Sequence, residues 1–196
     1  MTFDEVLPSL IDYDPNSFIS FEFAFHNTEW LQENDKGSLR GTMCTSIDAM
    51  IFARRGNKKW LIPIEWKYTE RYDREDKTNR KRLDRYAHLI ETSNRLLIPS
   101  EDVAHSVYFI EPNYELMRQT ILCEQIIAHG FADDFIHLYV IPKENTELRK
   151  AVELEFIPML NDSSKFKIID PQDLLAPLKD NDKYADLLNY LNKRYW

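Results

Sequence analysis

A mixed α/β sheet flanked by helices is the fold class predicted for this chain of 196 residues. Three observations predict it. Residues 46–69 switch to a two-residue hydrophobic period, polar and apolar helical stripes follow them, and a further alternating run returns near residues 135–141. Apolar residues make up 43% and charged residues 30% of the chain, the balance of an ordinary globular protein. The length favours one domain spanning 1–196, with no repeat, low-complexity tract or Gly/Ser linker to divide it.

The elements follow in order. Asp14-Pro15 reads as a cap followed by proline at the first helical position, and Phe18, Phe21 and Phe25 recur at helical spacing. A first helix of about four turns is expected there. Ile47, Ala49, Ile51 and Ala53, answered by Trp60, Ile62, Ile64 and Trp66, predict two strands that share a fully apolar face. Between them Gly56-Asn57 is a favoured pair for a two-residue hairpin turn. A polar helix from about Lys77 to Leu97 carries Leu83, Ala87 and Ile90 as its buried stripe. A short strand is expected over His105–Ile110. A helix then opens at Pro112, runs through Leu116, Ile121 and Ile127, and stops at Gly130. Phe135 to Ile141 alternates as a strand, and the remainder, including Asp170-Pro171 and Tyr184 to Tyr195, reads as short helices.

Composition narrows the function. No apolar run approaches the roughly 20 residues needed to cross a bilayer, so no membrane association is expected. The N-terminus is acidic, without the basic region of a secretory signal. The two cysteines, Cys44 and Cys123, stand far apart and match neither a zinc motif nor a disulfide framework, which points to the cytoplasm. A formal charge of −8 argues against a protein that coats nucleic acid. Basic residues are nevertheless concentrated: Arg71, Arg74, Lys77, Arg80, Lys81, Arg82 and Arg85 lie in one segment, interspersed with Asp73, Glu75, Asp76 and Asp84. That segment is either a solvated helix face or a contact for phosphates. His26, His88, His105, His129 and His137 have no mutual spacing for a triad or a zinc cage, and no serine or cysteine sits in a recognisable nucleophile elbow.

The hairpin carries the chemistry. With Gly56 and Asn57 at the turn, Arg55 faces Lys58 and, counting back along both strands, Asp48 faces Glu65. Lys67 lies on the same face as Glu65, about 7 Å further on, while Trp66 points the other way. Two carboxylates opposed at about 5 Å repel by roughly 3 kcal/mol at an effective dielectric of about 20, so a cation is required between them. Lys67 offsets one charge and leaves the pair anionic, which suits a divalent ion with oxygen ligands. Water on such an ion, beside an amine, is a nucleophile for phosphorus. A salt bridge that shares Lys67 between Asp48 and Glu65 is the competing structural reading, but it gives no reason for the second carboxylate.

Ser46-Ile47-Asp48-Ala49, the turn, and Ile64-Glu65-Trp66-Lys67-Tyr68-Thr69-Glu70 resemble the D-(X)n-(D/E)-X-K signature of the PD-(D/E)XK, restriction-endonuclease-like nuclease superfamily. With Tyr114-Glu115-Leu116-Met117-Arg118-Gln119 downstream, the chain is similar to a bacterial family described as restriction endonucleases, over about two thirds of its element order. A lone Glu-X-Lys is weak; the strand-borne Asp48 before it is the more specific part. The proline often found before the first Asp is replaced by Ile47. The resemblance implies a restriction-endonuclease-like core and a Mg²⁺-dependent DNA endonuclease of restriction or defence type, with Mn²⁺ as a substitute ion. Asp48 and Glu65 would bind the metal and Lys67 would position or activate the attacking water. Glu22, on the first helix, is the match to an acidic residue that reaches the metal in some members. Glu70 would act in support of the ligands, and Arg118 and Gln119 would hold the scissile phosphate. Cutting both strands is often achieved by a homodimer. An RNA or repair nuclease, and a non-catalytic binding or assembly module that keeps the nuclease fold, are the alternatives.

Overall fold

The computed structural model describes residues 1–11, 16–33, 44–68, 74–100 and 104–195. Its framework is a mixed sheet with, among the described residues, seven strands. Strands β1 (Glu5–Leu7) and β2 (Ile19–Phe23) lead into a single helical turn, α1 (Asn27–Trp30), and then into the long hairpin β3 (Ile47–Arg55) and β4 (Lys58–Trp66). Two helices, α2 (Arg80–Glu91) and α3 (Asn113–Ala128), precede β5 (Asp134–Phe135) and β6 (His137–Val140). A short α4 (Thr146–Ala151), β7 (Phe166–Ile169), α5 (Pro171–Leu175) and α6 (Ala185–Tyr195) complete the chain. The sheet order is β1-β3-β4-β6-β7, with β2 also on β3 and β5 also on β4. Pairing is antiparallel around β3 and parallel from β4 through β6 to β7. The parallel β4–β6 pair requires a long crossover, and α2 and α3 occupy it.

The hairpin register is the expected one. Arg55 pairs with Lys58, Ala53 with Trp60 and Ala49 with Ile64. Gly56 at the turn has φ +58°, a left-handed conformation, and a Cβ there would meet nothing within 4 Å. The constraint on this position is therefore backbone conformation and not space. Alternation along the hairpin divides the core. Met50, Phe52 and Leu61 belong to the larger cluster, with Tyr86 and Ile90 of α2 and Leu116, Met117, Ile121 and Leu122 of α3. Ala53, Trp60 and Ile62 form a smaller cluster with Ile136, joined by Phe3, Ile51, Ile64 and Leu138. The face of the hairpin that carries Asp48 and Glu65 is thus the one that packs the main core.

Helix α3 matches its expected extent: Pro112 stands at the N-cap and Gly130, φ +81°, ends it. Helix α2 is shorter than predicted. Asn79 caps it by accepting a hydrogen bond from the Arg82 amide, and it stops at Thr92.

Three expectations are corrected. The first helix is not formed over its phenylalanines: Asp14-Pro15 lies outside the described residues, and Ile19–Phe23 is a strand on β3. The spacing of Phe18, Phe21 and Phe25 marks no buried stripe, since Phe18 and Phe21 are exposed; the strand instead buries Ser20 and Phe23, three apart across Glu22 at φ +49°. Pairing with β3 satisfies this backbone, and tertiary context overrides local spacing. Second, His105–Phe109 forms a 3₁₀ helix, and only an isolated bridge from Ile110 to Asp76 remains of the expected strand. Third, Phe166–Ile169, expected within a run of short helices, is β7, in parallel register with β6. Among the described residues no helix is long and apolar enough to cross a membrane.

Candidate active site

Three of the predicted site residues meet at the open end of the hairpin. Beyond the Ala49–Ile64 pair the ladder passes to side chains: the Trp66 amide donates to Asp48 Oδ2 at 2.7 Å, and the Asp48 amide donates to Glu65 Oε2 at 3.4 Å. This exchange fixes the Asp48 carboxylate beside β4. Lys67 Nζ donates to Glu65 Oε1 at 2.6 Å, and the Lys67 amide is anchored on Val140 O of β6 at 2.9 Å. Both Glu65 and Lys67 are buried.

Helix α3 contributes two further side chains to the same centre. Gln119 Nε2 donates to Glu65 Oε2 at 2.7 Å, and Glu115 Oε1 accepts from Lys67 Nζ at 2.9 Å. The two lie four residues apart and so share one helix face. Gln119 appeared among the sequence candidates as a phosphate contact; here it orients Glu65. Glu115 was missed as a site residue, although its spacing from Gln119 was the available signal.

The electrostatics show an excess of negative charge. Burial pushes the Glu65 carboxyl up to about 8, helped by repulsion from Glu115 and Asp48 and opposed by Lys67. Asp48 is also raised, first by desolvation; the Trp66 amide and Lys67 oppose this, while Glu115 and Glu22 add repulsion. Among the described residues, Lys67 is the cation that opposes the charge of Asp48, Glu65, Glu115 and Glu22.

Glu22 reaches this neighbourhood from a strand, not a helix. Phe21 pairs with Ala49 and Phe23 with Ile47, which places exposed Glu22 across from Asp48. Arg118 does not join the trio. It turns to Glu33, with Nε 3.1 Å from Oε1, and Glu33 also accepts from the Thr45 amide, the Thr45 hydroxyl and the Tyr86 hydroxyl. Glu70 lies outside the described residues.

The oxygen donors of Asp48 and Glu65 can be compared with what a divalent ion needs. Among the described residues no three His, Cys, Asp or Glu side chains form a ready-made cage. That disfavours a structural zinc or a many-ligand calcium site, whereas Mg²⁺ is commonly held by one or two carboxylates, with water and substrate phosphate completing its shell. Asp48 and Glu65 fit this pattern. Glu65 already accepts one bond on Oε1 and two on Oε2, and a carboxylate has about four lone-pair sites, so a site on Oε1 is left for coordination.

A mixed sheet flanked by helices, with Asp48, Glu65 and Lys67 at the end of its central hairpin, defines a restriction-endonuclease-like protein. The chain belongs to the REase-ARP family, described as restriction endonuclease associating with ARP, whose model matches residues 2–196. Among curated proteins none matches, and among solved structures none matches.

Proposed function

We propose that this protein is a Mg²⁺-dependent phosphodiesterase, and that its substrate is DNA, cut endonucleolytically in a restriction or defence setting. The observation that carries the reading is the convergence of Asp48, Glu65 and Lys67 on one side of the hairpin, with Lys67 Nζ 2.6 Å from Glu65. Family membership supports it.

Asp48 and Glu65 would hold the ion, with Glu22 at the rim; Mn²⁺ would substitute. When bound, Mg²⁺ supplies a Lewis acid and lowers the pKa of a coordinated water. The chain's own residues perform the rest. Lys67, fixed between Glu65 and Glu115, presents an ammonium group to the attacking water and to the negative charge that grows on the phosphoryl oxygens. Gln119 holds the Glu65 carboxylate in one orientation, and the Trp66 amide does the same for Asp48. Glu70 is proposed to assist from the segment after β4. Arg118, engaged with Glu33, serves the frame of the site more directly than the scissile phosphate.

A plasmid nicking assay tests this. Native protein with Mg²⁺ is expected to relax or linearise supercoiled DNA, while Asp48→Ala and EDTA-treated protein are inert. Cleavage of RNA but not DNA would move the substrate to RNA and favour a processing or repair nuclease. A second reading, a non-catalytic assembly module, is favoured by the closed Glu65–Lys67–Glu115 ion-pair chain and by the association named in the family description. Equal inertness of native protein and Asp48→Ala on every nucleic acid offered would select it. Whether the active form is a homodimer is read from sedimentation of the native protein with and without DNA.

A further inference from the structure

A cavity of about 350 Å³ opens between the N-terminus of α3 and the helical segment that begins with α4. Its volume falls in the range of small-ligand sites, about 300–1,000 Å³. Pro112, Leu148 and Ala151 supply apolar lining, and Glu111, Glu147 and Glu155 supply carboxylates. Arg74 and Lys150 are the cations of the lining, so three acidic side chains face two basic ones. Arg74 is already engaged, its Nη2 donating to Glu155 Oε2 at 3.0 Å. From this geometry we infer that the cavity is a binding site for an organic cation, a primary ammonium or guanidinium group on an apolar stem. The inference stands independently of the nuclease reading.

Glu111 is the group in this lining that lacks a donor. Its carboxylate accepts a hydrogen bond from the Glu115 amide, but its Oε2 is buried and accepts none from the described residues. A buried acceptor without a donor is costly, and a charged one more so. Burial and repulsion from Glu115 raise the Glu111 carboxyl, against the opposing effects of Lys77, the Glu115 amide and Arg118. The opposite wall differs from an ordinary helix: Val152–Phe156 is a single π-helical turn, a conformation that recurs at functional sites. This turn brings Glu155 into the lining and Leu154, 73% exposed, to the rim. A partly buried carboxylate beside exposed and buried aliphatic side chains suits a ligand that is charged at one end and apolar along its stem. The charged end donates to Glu111, and the stem lies on Leu148, Ala151 and Leu154. Glu111 precedes Glu115, the partner of Lys67, by four residues, so the occupant sits close to the carboxylate centre and outside it.

The test is saturation-transfer NMR titration of the full chain in metal-free buffer, with n-butylguanidinium and n-butylammonium as probes and n-butyrate as the anionic control. Native protein is expected to bind both cations saturably and to leave n-butyrate free. Glu111→Gln, which keeps an acceptor for the Glu115 amide, is expected to weaken cation binding about tenfold or more. Arg74→Gln removes a competing cation and is expected to tighten binding by about threefold. Should Glu111→Gln fail to fold, Glu147→Gln, at an exposed position, is expected to weaken binding by about threefold or less. Spermidine and an N-acetylated tripeptide with a central arginine separate the sources: tighter binding of spermidine assigns a free amine, and tighter binding of the peptide assigns a basic side chain of a partner protein. Equal binding of n-butyrate and the cations, no saturable cation binding by native protein, or native affinity in both glutamate variants would overturn the inference. Looser binding in Arg74→Gln would overturn it as well.

Discussion

Two buried glutamates, each 3% exposed, divide the molecule into a part that holds itself together and a part that is left short of positive charge. Glu33 has a full complement of partners: Arg118, the Tyr86 hydroxyl, and both the amide and the hydroxyl of Thr45. It ties α2 and α3 to the segment entering β3. Glu65 has Lys67 and Gln119, but Asp48 and Glu115 crowd it, and its carboxyl is pushed up to about 8. Burial is the same; the neighbours differ. A buried carboxylate satisfied by donors is a structural pin, and one crowded by other carboxylates is the candidate for holding a cation.

The comparison can be broken in several ways, beginning with the largest effect. Glu33→Ala leaves the Arg118 guanidinium buried and unpaired, and is expected to cost about 3–5 kcal/mol in urea denaturation. A loss under about 1 kcal/mol would mean that Glu33 is no pin. Lys67→Met is expected to reduce Mg²⁺-dependent cleavage by roughly 10²–10³-fold while the protein stays folded by circular dichroism. Activity within a factor of about three of native would remove Lys67 from the chemistry.

The third prediction concerns pH in metal-free buffer. Glu65 ionises near 4.5 in the unfolded chain and near about 8 in the folded one, so the folded state binds the extra proton between those values. Stability from this group is therefore full below about 4.5 and is lost as pH rises through about 8. Glu65→Gln is expected to flatten that decline in denaturation midpoints. An unchanged slope in Glu65→Gln would contradict the crowding described for this carboxyl. The smallest effect is expected from Gln119→Leu, which frees the Glu65 carboxylate without changing any charge. Cleavage should fall about tenfold, with a shift in the Mg²⁺ concentration for half-maximal rate; a shift in neither would reduce Gln119 to a packing residue.

How much of this was legible in the sequence follows from the range of the interactions. The hairpin was readable because Gly56-Asn57 sets a two-residue turn, and strand parity then carries Asp48, Glu65 and Lys67 to one side without further information. Helix α3 was readable from Pro112, its apolar period and Gly130. Strand β2 was not, since Phe18, Phe21 and Phe25 recur at helical spacing although Phe18 and Phe21 are exposed, and only pairing with β3 reveals the strand. The four residues of β7 were too few to show a period, and parallel pairing to β6 makes them a strand. Glu115 and Glu33 escaped because their partners, Lys67 and Arg118, are far away in sequence. Contacts of that kind appear only once helices and sheet are packed.

The most direct test is calorimetric titration of the native protein and Asp48→Ala with Mg²⁺ and Mn²⁺. The account predicts saturable binding by the native protein that disappears in the variant. Identical isotherms for the two would contradict a metal centre between Asp48 and Glu65.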